Sequence, residues 1–160
     1  MRILAIDPGF ERLGIAVIER DRKTHKEKLI HSECFKTKSS LPFPERLALL
    51  GARVKEVIRQ FEPEALAIET LFFTTNQKTA MRVAEARGVI IYEAIRSGLS
   101  IAEFTPLEVK VAITSYGKAD KTQMMRMVRK LIVLAHKTVS DDELDAIAIG
   151  LTYFARGGGK

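Results

Sequence analysis

The apolar positions along the chain predict a group of strands followed by strands and helices in alternation. Short runs rich in β-branched residues and closed by turn residues are typical of strands, whereas apolar residues spaced three and four apart are typical of helices. Strands are predicted at residues 2–7, 13–20, 29–37, 64–70 and 100–105. Helices are predicted at residues 44–61, 77–97, 106–113, 121–135 and 140–155.

This order of elements predicts one α/β domain. The first three strands have only short connections between them and form an antiparallel meander, whereas the later strands alternate with helices. We therefore expect one mixed sheet with helices covering both faces. The chain has 160 residues, about the size of one ordinary domain. We expect the domain to span residues 1–156 and residues 157–160 to form a flexible tail.

The helix predicted at residues 77–97 carries a stripe of small residues. Ala80, Ala84 and Gly88 fall one turn apart along it. Small side chains on one stripe allow another backbone to approach closely. We expect this stripe to pack on the sheet, and the alternative is that it packs against a second copy of the same helix.

The charge of the chain favours a polyanionic partner. The net charge is +6, and much of the excess lies between Glu108 and Lys137. Solvated helix faces are the alternative explanation for such a basic stretch. No apolar stretch approaches about 18 residues, and the N-terminus does not read as a secretory signal. We therefore expect a soluble, cytoplasmic protein without membrane association.

Acidic residues end two of the predicted strands. Asp7 closes the first strand and is followed by a Pro-Gly turn, and Glu69 closes the strongly apolar fourth strand. Functional sites of open α/β sheets lie at the carboxyl ends of strands. A carboxylate that closes so apolar a strand is costly to bury without a partner, so two such acids on neighbouring strands would need a cation.

The segment "SDDELDAIAIGL" adds further acids at the start of the last helix. Ser140 and Glu143 have the spacing of a capping box. Asp142 and Asp145 lie about 60° apart on one flank of the helix, which places Asp145 at the margin of the buried stripe. Asp141 could take the place of Asp142, since it is also one turn from Asp145. Spacing alone leaves that choice open.

Together, Asp7, Glu69 and an Asp pair from the last helix form an all-oxygen set suited to Mg²⁺ or Mn²⁺. Two such ions can hold a phosphodiester, one activating water and the other stabilising the leaving oxygen. The single cysteine, Cys34, can form no internal disulfide and makes a poor metal site, so we assign it no function. A basic chain with this acid set suggests a nuclease.

Four blocks of the sequence carry a resemblance to a known family. They read "ILAIDPGFERLGIAVIE", "AIETLFFTTNQKTAMRVAEARGVI", "VKVAITSYGKADKTQMMRMV" and "DDELDAIAIGLTY". In this combination they resemble the RuvC family of bacterial Holliday-junction resolvases, which belongs to the RNase H-like nucleases. The resemblance covers essentially the whole chain and implies an RNase H-like five-stranded sheet of three antiparallel strands followed by parallel strands.

The resemblance also implies which residues act. The family's four acidic metal ligands, which hold two Mg²⁺ ions that Mn²⁺ can replace, match Asp7, Glu69, Asp142 and Asp145, so Asp142 is chosen over Asp141. The residues that match the family's DNA contacts are Phe72, Asn76, Lys110 and Lys121. Tyr153 departs from the pattern, since the family usually has a histidine there.

The implied activity is the resolution of Holliday junctions in recombination and DNA repair. A homodimer would bind a four-way DNA junction and nick two strands of like polarity symmetrically, with the branch-migration proteins RuvA and RuvB as partners. The family forms its dimer through the region that matches the helix predicted at residues 77–97, so we expect the dimer interface there. One alternative is an RNase H-like nuclease that trims ribosomal RNA precursors, and another is a DNA-binding module without catalysis. A third, an actin-like ATPase or sugar kinase, needs a two-lobed cleft that one domain cannot supply.

Overall fold

The computed structural model describes residues 1–70, 77–134 and 138–158, with only the backbone of Gln77 and Lys78. The strands are β1 (Arg2–Asp7), β2 (Arg12–Arg20), β3 (Glu27–Lys36), β4 (Ala65–Glu69) and β5 (Ser100–Phe104). The helices are α1 (Phe43–Phe61), α2 (Gln77–Arg96), α3 (Pro106–Thr114), α4 (Lys121–Leu131) and α5 (Asp141–Ala155). The predicted order is confirmed, although α4 ends four residues earlier than predicted. Within the described ranges, no helix has the length and apolar character to span a membrane.

The five strands form one sheet in the order β3-β2-β1-β4-β5. β1 pairs antiparallel with β2, and β2 pairs antiparallel with β3. β4 runs parallel to both β1 and β5. The predicted mixed sheet is therefore confirmed. Because Ile6 is in register with Ile68, the next residues, Asp7 and Glu69, lie side by side at the carboxyl ends of two adjacent parallel strands.

Helices cover both faces of the sheet, as predicted. Alternate residues of β1 point to opposite faces, so Leu4 and Ile6 pack with α1 and α2, whereas Ile3 and Ala5 pack with α3, α4 and α5. All four side chains are fully buried. Burying a large aliphatic side chain contributes about 1.5–3 kcal/mol. The strand that carries Asp7 is thus held from both sides.

The small-residue stripe of α2 does not face the sheet, so that prediction is wrong. The residues of α2 that are buried in the core are Ala86, Ile90 and Ala94. Gly88 is two positions from Ala86, about 200° around the helix. A Cβ built on Gly88 would meet nothing within 4 Å. The stripe therefore points away from the protein core.

Candidate active site

The first turn of α5 is fixed by hydrogen bonds to its own cap and to the sheet. The Ser140 side chain accepts from the backbone N–H of Glu143, and the Glu143 side chain accepts from the Ser140 backbone, so the predicted capping box is present. The second carboxylate oxygen of Glu143 accepts a hydrogen bond of 2.9 Å from the Ser32 hydroxyl on β3. The helix that carries Asp142 and Asp145 thus begins at a defined place over the sheet.

Gly14 on β2 makes this close approach possible. It is in register with Asp7. A Cβ at position 14 would lie 2.1 Å from the carbonyl oxygen of Asp142 and 3.2 Å from the Cβ of Asp7. Only glycine leaves room for the helix backbone at this point. The hydrophobic periodicity of the sequence does not identify Gly14, because the lack of room for a side chain is visible only once α5 is placed on the sheet.

Three of the four predicted acids meet at one cavity. Asp7, Glu69 and Asp145 line a cavity of about 250 Å³ together with Lys110 and Lys121. Its other walls are formed by Pro106, Val109, Met124, Ala148 and Ile149. The cavity therefore brings carboxylates and lysines together among largely apolar walls, where charge interactions are stronger than in water.

The acids of the cavity repel one another. Burial, and then the charges of Asp145, Glu69 and Asp142, raise the pKa of Asp7 to about 7, with Lys121 opposing this shift. Burial and the charge of Asp145 raise the pKa of Glu69 to about 6. Burial also raises the pKa of Asp145, although Lys121 lies beside it. Such a set of like charges is stabilised by a bound cation.

Asp142 has different partners from the other three acids. Its Oδ2 accepts from Nε of Arg12 at 2.8 Å and from the same guanidinium's Nη2, and the Sγ of Cys34 lies 3.5 Å away. Burial opposes the ionisation of Asp142, but the hydrogen bonds from Arg12 and Cys34 outweigh it and lower the pKa. Asp142 is not among the residues lining the cavity. The sequence had indicated neither contact.

Lys121 lies between two carboxylates of α5. Its Nζ is 3.4 Å from an oxygen of Asp141 and 3.4 Å from an oxygen of Asp145. Although a lysine at the start of a helix gains nothing from the helix dipole, these ion pairs supply a local reason for its position. Its role toward DNA stays a prediction, as does that of Lys110.

Arg87 on α2 supports the strand end that carries Glu69. Its Nε donates to the Glu69 carbonyl oxygen at 3.1 Å, and its Nη2 pairs with the Glu103 carboxylate on β5. This arginine was not identified from the sequence. Phe72 and Asn76 lie outside the described residues, so their predicted DNA contacts stay predictions. Tyr153 is buried and packs edge-on against Phe154, with ring centroids 5.4 Å apart.

The donor atoms at the cavity fit a hard divalent cation. Within the described parts of the chain, no three His, Cys, Asp or Glu side chains are grouped as a metal site. The acids are nevertheless all oxygen donors, and a bound divalent cation such as Mg²⁺ or Mn²⁺ would relieve their mutual repulsion. A cation that binds Oδ2 of Asp142 would have to displace Arg12 from that oxygen.

This repulsion predicts a stability effect in protein without metal. The pKa of Asp7 is about 7 in the folded chain and near 3.8 in the unfolded chain. Between these values the folded state keeps a proton that the unfolded state has lost, so the stability contribution falls as pH rises. In EDTA we expect Asp7→Asn to raise the free energy of unfolding at pH 8 by about 2–4 kcal/mol.

The check is urea unfolding of both proteins in EDTA at pH 8 and near pH 4. The gain should vanish near pH 4, where the Asp7 carboxyl is about half protonated even when unfolded. An equal gain at both pH values would show that the amide improves packing and that charge repulsion is not the cause.

Comparison with known proteins gives a consistent match. The sequence model of one protein family, crossover junction endodeoxyribonuclease RuvC, matches residues 3–153. A crossover junction endodeoxyribonuclease RuvC from Caldicellulosiruptor saccharolyticus is 43% identical over 96% of this chain and 92% of its own length. The protein of the same name from Moorella thermoacetica is 41% identical over 96% of this chain and 90% of its own length.

Solved structures agree with the sequence comparison. RuvC of T. thermophilus, in a structure with a Holliday junction substrate, superimposes with a TM-score of 0.90 at 34% identity, covering 99% of this chain and 95% of that chain. The yeast mitochondrial Holliday junction resolvase Ydc2 superimposes with a TM-score of 0.71 at 14% identity, covering 96% of this chain and 77% of that chain. The second likeness is one of fold.

Proposed function

The chain belongs to the RuvC family of crossover junction endodeoxyribonucleases, and we propose that it resolves Holliday junctions by nicking four-way DNA, with Asp7, Glu69, Asp142 and Asp145 as its catalytic carboxylates. The observation that carries this proposal is the cavity in which Asp7, Glu69 and Asp145 meet beside two lysines. A phosphodiester is anionic, and its hydrolysis needs both the lysines and the carboxylates. Lysines attract it, and carboxylates hold the cations that activate its hydrolysis.

We propose Mg²⁺ as the cofactor, two ions per site, with Mn²⁺ as a substitute. When bound, such ions activate a water molecule and stabilise the oxygen that leaves the phosphorus. Asp7 and Glu69 would hold them from the ends of β1 and β4, which are fixed by pairing in the middle of the sheet. Asp142 and Asp145 would complete the set from the first two turns of α5.

Contacts with DNA would come from the residues around the cavity. Lys110 and Lys121 line it directly and would bind phosphate oxygens. The exposed face of α4 beside them adds Arg126 and Arg129, which extend the positive surface. Phe72 and Asn76, from the family's pattern, would contact unpaired bases at the branch point.

The experiment that tests this function compares three substrates in Mg²⁺ and in EDTA. A synthetic four-way junction, a linear duplex of the same arms and a structured precursor-like RNA would be incubated with the purified protein. We expect paired nicks in junction strands of like polarity, ends that DNA ligase can seal, and no cleavage in EDTA. Preferential cleavage of the RNA would favour the ribosomal precursor alternative, and no cleavage at all would favour a binding module.

We further propose a homodimer formed through α2. The outward stripe of this helix continues from Ala84 and Gly88 to large exposed side chains, which are Met81, Tyr92 and Ile95. Neighbouring positions among these five are three or four residues apart, so they form one apolar face about four turns long. An exposed apolar face of this kind marks a protein interface, and two-fold symmetry would match the two-fold junction.

Tyr92→Glu is expected to convert the dimer to a monomer at micromolar concentration, because it places a charge in the centre of an apolar contact. Sedimentation velocity would measure the change. Tyr116→Glu is the matched control, since Tyr116 on the α3–α4 connection is 56% exposed and Tyr92 is 59% exposed. A wild-type monomer, or an unchanged dimer in Tyr92→Glu, would contradict this interface.

RuvA and RuvB, the branch-migration proteins implied by the resemblance, are the partners that we propose for this reaction. Because RuvA and RuvB act on chromosomal DNA, we propose that this protein acts in the cytoplasm of a bacterial cell. The closely related proteins named above come from bacteria, which is consistent with this proposal.

A further inference from the structure

Arg12 makes an ion pair that occupies one carboxylate oxygen of a proposed metal ligand. Both its Nε and its Nη2 donate to the same oxygen of Asp142. That carboxylate is one of the four that would hold the cations. While the guanidinium occupies Oδ2, the oxygen is not free to bind a metal ion.

The two partners can separate at little cost. The Arg12 side chain is 50% exposed, whereas the Asp142 side chain is 21% exposed. Ion pairs of this exposure contribute little to stability, because water solvates the released guanidinium. A divalent cation that gains several carboxylate ligands at once can therefore displace Arg12.

The position of Arg12 is also set by the fold. It opens β2 two residues before Gly14, whose missing side chain lets the backbone of Asp142 approach the sheet. The strand β2 thus lets the first turn of α5 approach and also places Arg12 beside the Asp142 carboxylate of that turn. Asp145 of the same helix also has a cation beside it, since Nζ of Lys121 lies 3.4 Å from its carboxylate. Two cations of the chain balance the acids of α5.

We propose that Arg12 is a positioning residue that holds Asp142 away from the cavity and competes with the divalent cation for its carboxylate. The proposal rests on the proposed function, in which Asp142 is a metal ligand. Arg12 sets how much metal is needed to complete the site. An arginine with a purely structural role would instead stabilise the start of α5 and leave metal affinity unchanged.

The test measures Mn²⁺ binding to the protein in the absence of DNA, by the electron paramagnetic resonance signal of the free ion. We expect Arg12→Ala to lower the dissociation constant about three- to tenfold, because the competing cation is removed. Arg12→Lys keeps the charge but not the paired N–H donors of the guanidinium. Its Mn²⁺ dissociation constant should lie between those of the unchanged protein and Arg12→Ala. The Mg²⁺ concentration for half-maximal nicking should fall in parallel.

Arg22→Ala is the matched control. It removes the same charge just beyond the other end of β2, where Arg22 is 81% exposed and 3.9 Å from Glu64. Its Mn²⁺ affinity should equal that of the unchanged protein, which separates local competition from net charge. Equal or weaker Mn²⁺ binding in Arg12→Ala would overturn the proposal for Arg12 and leave the proposed function standing. A wild-type protein that neither binds Mn²⁺ nor nicks junctions would overturn both.

Discussion

Replacing Asp7 by asparagine is expected to slow nicking of a four-way DNA junction at least about a thousandfold, while junction affinity stays within about threefold. Asp7 lies among the other three acids, since the charges of Asp145, Glu69 and Asp142 all raise its pKa. An amide is a far weaker ligand for a hard divalent cation than a carboxylate. Junction affinity depends mostly on phosphate contacts, which this change does not touch.

Single-turnover nicking at saturating Mg²⁺ and gel-shift binding in EDTA would measure the two quantities. Asp141→Asn is the matched control, because it removes the same charge from the first turn of α5 at a side chain that is 68% exposed. It should nick within about threefold of the unchanged protein, as exposed charges contribute little. Asp142→Asn should instead resemble Asp7→Asn. The reverse result for Asp141 and Asp142 would show that the wrong acid was chosen.

Gly14→Ala is expected to lower the free energy of unfolding by about 3 kcal/mol or more. The new methyl group would lie 2.1 Å from the Asp142 carbonyl oxygen, so the backbone of α5 has to move away from β2. That movement would also separate Asp142 from Asp7, and we expect nicking to fall more than a hundredfold, about the effect of a 1 Å misplacement at a catalytic site.

Urea unfolding and the nicking rate of the folded fraction would separate the two effects of Gly14→Ala. A variant of unchanged stability would mean that α5 is not pressed against β2 at this position. A variant that is destabilised but nicks at the normal rate per folded molecule would mean that nicking tolerates a shift in the position of α5.

The order of elements could be read from the sequence because local patterns determine it. Short apolar or alternating runs indicated all five strands, and the capping box of Ser140 and Glu143 indicated where α5 begins. Asp7 and Glu69 were identified for a related reason. Their place at the ends of apolar strands is itself a feature of the local sequence.

Contacts between distant segments could not be read in this way. Arg12 and Asp142 are 130 residues apart, and nothing near Arg12 in the sequence distinguishes it from a surface arginine. Gly14 sits in a strand where glycine is merely unfavourable until α5 is placed above it. Small residues suit packing on the sheet and packing against a second helix equally well, so the sequence alone does not decide which way the stripe on α2 faces. Only the burial of Ala86 and Ile90 shows which face of the helix is inside.

The pairing of acids with Arg12 and Lys121 bears on the order in which DNA and metal arrive. A group of bare carboxylates would repel the phosphates of an approaching strand, and the enzyme would then have to load its ions first. Two cations already lying on these carboxylates remove part of that barrier. We therefore expect that neither ligand has to bind before the other, and that their relative concentrations would decide the order.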